Sequence, residues 1–265
     1  MQKIFMNLTR YMIIVTLCVA IAGFLFTPNV FAENDIEQLL IKAKLELRTG
    51  ISIWDPNIIK KAKNMFLNLL INDKPDNAWL HYYIALCDYN LATYYMGDNK
   101  KQETERHTKD AQKYLNKVME LKPSWGEPYA LYASTLGYEI ALDLSKAMSM
   151  GMKIYEYYGK AQELEPQNPR IKMLKGASDL YTPPEYGGGP DVAIKTLTSA
   201  VDLFEKEKVE TPWEPSWGKE EAYTFLGMAY QQKGDEKTAQ ELYEKALKIN
   251  PDFGLAKQAL QAIKK

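Results

Sequence analysis

The segment EEAYTFLGMAYQQKGDEKTAQELYEKALKINP, residues 220–251, carries two helical periods with one stop between them. Tyr223, Leu226, Gly227 and Tyr230 place bulky, apolar, small and bulky side chains in turn on one helical face, and Gly234-Asp235 ends that helix. Ala239, Tyr243, Ala246 and Leu247 then recur at three- and four-residue steps until Pro251. The pattern predicts an antiparallel helical hairpin. Its small residues mark the closest approach of the two helices, so Gly227 is expected against Ala239, with Tyr223 and Tyr230 filling the adjoining hollows. One such hairpin cannot bury its apolar face alone, so further hairpins must flank it.

The order Tyr223, Leu226-Gly227, Tyr230, Gly234-Asp235, Ala239, Tyr243, Ala246, Pro251 resembles the tetratricopeptide repeat. The resemblance implies an all-α, right-handed α-solenoid of about five such hairpins with a C-terminal cap helix. The strongest repeat is then 220–253 and the cap 254–265. The family's clamp for C-terminal carboxylates uses Lys and Asn on the inner face of the first helices. Thr224 and Met228 stand there instead, so that mode is not expected.

Upstream, the chain reads as helical throughout. Asp35 is the expected N-cap of a helix bearing Ile36, Leu39, Leu40, Ala43 and Leu47, and a second helix carries Ile58, Ala62, Met65, Phe66 and Leu69 up to Pro75. The next hairpin, opened by Trp79, Tyr82, Tyr83, Leu86 and Tyr89, is longer than a standard repeat and is expected to project from the stack. A third hairpin carries Tyr129, Tyr132, Ala133 and Leu136, then Ile154, Tyr158, Ala161 and Leu164, with an extended inter-helix region at 143–151. The tetrapeptide Pro-Ser-Trp-Gly occurs at 123–126 and again at 215–218, each time ahead of a first helix, and so supports the register. Residues 181–190, with prolines and a Gly187-Gly188-Gly189 run, break the fourth hairpin; residues 210–218 link it to the strong repeat. This Gly-rich loop ahead of an alanine-led helix also resembles exported tetratricopeptide-like partners of TRAP-type solute transporters.

The composition, 46% hydrophobic and 25% charged, is that of a globular protein. Residues 1–32 read as a secretory signal: Lys3 and Arg10 precede an uncharged apolar run at 11–26, followed by Pro28 and the small-residue site ending at Ala32. The rival is a retained anchor, for which this run falls short of the roughly 20 residues that span a bilayer. Cleavage leaves 31 basic against 34 acidic residues, a charge of −3, with Cys87 as the remaining thiol. No basic footprint for nucleic acid is present, and the membrane would be met only through an uncleaved signal segment.

Groups for catalysis are few: His81, His107 and Cys87. His107 follows Glu103 by four residues, a helix-supporting pair, and no zinc motif accompanies it. The glycine run at 187–189 is a packing loop rather than an anion cradle, since Pro190 and Asp191 stand where a phosphate loop needs Lys and Ser or Thr. Asp179, Glu185 and Asp191 lack the alternation of a calcium loop. No catalytic residue, metal or cofactor is therefore expected. The chain reads as an exported binding module, a protein–protein scaffold of the periplasm or cell surface, with a small-molecule-binding accessory of a solute uptake system as the alternative. The expected partner surface draws on Trp79, Tyr82, Tyr83, Tyr129, Met228 and Gln231.

Overall fold

The computed structural model describes residues 33–72 and 76–263; the expected signal segment, 1–32, and the expected helix stop at Pro75 lie outside them. Among the described residues there are eleven α-helices and no strand. They follow as α1 (Glu33–Ser52), α2 (Pro56–Asn72), α3 (Ala78–Gly97), α4 (Lys101–Leu121), α5 (Glu127–Leu142), α6 (Ala147–Leu164), α7 (Pro169–Tyr181), α8 (Pro190–Phe204), α9 (Lys219–Gln232), α10 (Glu236–Ile249) and α11 (Gly254–Ile263). Consecutive helices pair into five hairpins, and α11 packs on α10 as a cap. No described helix is long and apolar enough to cross a membrane.

Local chemistry sets the boundaries. Asn77, Asn168 and Asp235 accept backbone N–H bonds at the starts of α3, α7 and α10. Asp35 does not cap α1, which is already helical from Glu33. The region expected to be extended at 143–151 is short: Asp143 caps a single 3₁₀ turn at Leu144–Lys146, and α6 begins at Ala147. In the strong repeat, a Cβ built on Gly227 would stand 2.5 Å from the Tyr243 ring. Tyr243, rather than Ala239, is therefore the group that requires glycine there.

A buried cluster recurs at the start of two first helices. Glu127, fully buried, accepts from Asn168 Nδ2 at 3.0 Å and from Arg170 Nε at 2.8 Å. Glu220, likewise buried, accepts from Asn250 Nδ2 at 3.1 Å and from Arg48 Nη2 at 3.2 Å. The first cluster joins neighbouring hairpins. The second takes its arginine from α1, so side chains of the first helix reach the last repeat. Asn250 Nδ2 also donates to Ser52 Oγ at 2.7 Å, and Lys44 Nζ donates to the carbonyls of Pro212 and Glu214 at 2.8 and 2.7 Å. The two ends of the array meet.

Candidate binding cleft

Where the ends meet, a cleft of about 480 Å³ opens between α1, the start of α9 and the linker after α8. That is the size of a site for a small ligand or a few side chains. One wall is α1, with Ile41, Lys44, Leu45 and Arg48; Tyr83 and Leu86 form the floor, and Phe253 closes the far side. The opposite wall is a strap, 209–217, which includes Val209, Pro212 and Trp217. Side chains pin the strap in place: besides Lys44, the Tyr83 hydroxyl donates to Trp213 O at 2.8 Å, and Trp217 Nε1 donates to the Tyr82 hydroxyl at 2.9 Å. Ile41, Leu45 and Val209 are exposed at the rim, so its lip is apolar.

Charged groups face this space under tension. Burial, reinforced by the charge of Arg170, brings Lys44 down to about 8 against the pull of Glu214. Burial and the adjacent Glu220 carboxylate push Glu221 up to about 8. Its Oε2 is buried without a hydrogen-bond partner. Behind the cleft, Tyr82 donates to Glu127, while Arg170 also bonds Glu207 and the Trp217 carbonyl. Burial would lower the Arg170 guanidinium, but Glu127 and Glu207 hold it above its ordinary value. The tryptophans of the repeated tetrapeptide converge here: the Trp125 ring lies 4.7 Å from that of Tyr82, and Trp217 bonds its hydroxyl.

Of the six residues expected on a partner surface, two are buried and four are half-buried, spread over α3, α5 and α9. Tyr82 and Tyr83 are buried; Tyr83 stacks on Phe66 at 5.1 Å and serves as cleft floor, so neither is a free groove aromatic. Half-buried Trp79 packs on Trp125 under the Lys122 ammonium, 4.3 Å from its ring, and Tyr129 donates to Pro123 O at 3.2 Å. Met228 and Gln231 are half-buried on α9, where Gln231 accepts from Tyr243 at 2.7 Å and Met228 meets Tyr181. Sequence reading missed Ile41, Lys44, Leu45, Arg48 and Val209. One signal was present, since Ile41 and Leu45 fall outside the face set by Leu40, Ala43 and Leu47.

Other candidate sites have internal occupants. His107 pairs with Asp88 at 2.7 Å, not with Glu103. Asp88, His107 and Asp110 could together hold a metal, but the Lys63 ammonium already stands 2.7 Å from Asp88 and 3.8 Å from Asp110, supplying the countercharge. The N–H groups of Gly187, Gly188 and Gly189 donate to Pro184, Pro183 and Asp179 carbonyls. None is left for an anion. Asp179 and Asp191 bind separate lysines, Lys175 and Lys233. Cys87 is fully buried, which pushes its thiol up and away from reactivity.

The sequence pattern of the tetratricopeptide repeat matches residues 220–253. The described residues thus form an all-α solenoid of tetratricopeptide-like hairpins, one of which, 220–253, matches the repeat itself. Its fold is similar to that of the HusA haemophore from Porphyromonas gingivalis, with TM-score 0.63 and 20% identity over 78% of this chain and 96% of that one. It is also similar to TTC0263, a thermophilic tetratricopeptide-repeat protein of Thermus thermophilus, with TM-score 0.58 and 16% identity over 84% of this chain and 100% of that one. At these identities the likeness is one of fold. No curated protein matches the sequence. In this solenoid a cleft lies where the two ends approach.

Proposed function

We propose that this protein is an exported, non-catalytic binding module that seats an apolar segment of a protein partner in the cleft between α1 and the strap. The observation that carries this is the apolar lip of Ile41, Leu45 and Val209 around a cleft floored by Tyr83 and Leu86. Apolar side chains left in water at the mouth of a concavity are what a binding surface presents. Export is supported by the charged start, apolar run and small-residue site of residues 1–32.

A photo-crosslinking residue placed at Leu45 in the native host tests the reading. An adduct of protein size is expected, absent when the same residue replaces exposed Lys237 on α10. Equal labelling at both positions would overturn it. A second reading, a compact apolar small molecule in the same cleft, is favoured by the cleft's volume and by the haemophore with the same fold. It predicts no protein adduct, together with saturable quenching of tryptophan fluorescence by haemin that Leu45→Glu abolishes.

A further inference from the structure

The cations that line the cleft are already engaged. Lys44 Nζ donates to the carbonyls of Pro212 and Glu214, and Arg48 Nη2 donates to Glu220 Oε1 at 3.2 Å. The same Glu220 oxygen accepts from Asn250 Nδ2 at 3.1 Å, so that acid is met from two sides. Its neighbour is not. Glu221 lines the cleft at the first turn of α9, and its Oε2 is buried with no hydrogen-bond partner. The last torsion of a glutamate is soft, so a turn of this half-buried side chain presents the oxygen to the cleft.

Charge decides what kind of donor fits there. Glu210, Glu220 and Glu221 stand in the lining against Lys44 and Arg48, three acids to two bases, and both bases are held by other acceptors. Around Glu221 itself are Glu220 on the same helix, Arg48 on α1 and Tyr89 on α3, so the cation beside it is shared with Glu220. Burial and that second carboxylate keep its proton on up to about 8. A positive group arriving against it would supply the missing countercharge and release the proton. The rim adds a further condition. Ile41, Leu45 and Val209 leave apolar surface at the mouth, and lysine and arginine carry their charge on apolar stems that such a rim can cover.

We propose that the partner segment seated in this cleft is apolar around a single lysine or arginine, whose cationic head is received by Glu221. This rests on the cleft being the partner site and adds the chemistry of its occupant. Isothermal titration calorimetry at pH 7 tests it with a blocked pentapeptide, lysine between two pairs of leucines, against the same peptide with glutamine or glutamate at the centre. The lysine peptide is expected to bind about tenfold or more tighter than the glutamine one, as a charge-assisted bond exceeds a neutral one, and the glutamate peptide to bind weakest. Titration in buffers of different ionisation enthalpy should show proton release with the lysine peptide. Glu221→Gln should bring the lysine and glutamine peptides to the same affinity and abolish that release. Equal affinity for these two peptides in the unaltered chain would overturn the inference and leave the cleft reading standing. So would a preference for lysine that survives Glu221→Gln. Binding of none of the three would overturn it as well, and the adduct at Leu45 then decides the cleft reading separately.

Discussion

At the scale of single residues, close approach decides more than polarity. Gly227 lies under the Tyr243 ring, so Gly227→Leu should overpack the hairpin and lower its stability by about 1–3 kcal/mol, read from urea denaturation. An unchanged midpoint would mean the two helices do not meet there. Periodicity assigned Gly227 to the right face but gave it the wrong neighbour. Spacing reports which face a residue occupies, whereas the rotation of one helix against the other, which separates Ala239 from Tyr243 by one turn, is a property of the pair. The aromatic residues were ambiguous for a related reason. Tyr82 and Tyr83 point in different directions on α3, yet both are buried, because Trp125 covers one and Phe66 and the strap cover the other.

Among the elements, the start of α9 joins structure to pH. The folded chain keeps a proton on Glu221 up to about 8, whereas the unfolded carboxyl loses it near the ordinary 4.5. The folded state thus binds more protons in that window, so stability conferred at low pH is lost as pH rises from about 4.5 to 8. Lys44 acts with the opposite sign above it: its folded value of about 8 lies below the ordinary 10.5, and stability returns as pH climbs between them. The thermal midpoint should therefore pass through a minimum near pH 8, and Glu221→Gln should flatten the acid side of that curve. A midpoint that rises steadily from pH 5 to 8 would show that Glu221 is ionised when folded. Helices and hairpins were legible because each is written in neighbouring residues. The cleft was not, since its walls are joined by bonds such as Arg48 to Glu220, 172 positions apart, which no local spacing encodes.

Over the whole molecule, the contact between first and last hairpins governs how the chain comes apart. A linear array frays from its ends, because each terminal repeat has one neighbour. Here α1 is held by Arg48, Ser52 and Lys44 to the far end of the chain. Its backbone amides should exchange with deuterium about as slowly as those of α5, and Lys44→Ala/Arg48→Ala should speed exchange in α1 about tenfold or more while sparing α5. Rapid exchange in α1 of the unaltered chain would show that the ends are not joined. The same contact sets a count. An open solenoid can gain or lose a repeat in the middle and remain a solenoid of another length, but here an added hairpin would carry Glu220 out of reach of Arg48. Among the described residues five hairpins lie between the two halves of that contact, so their number is tied to a clasp of a few side chains.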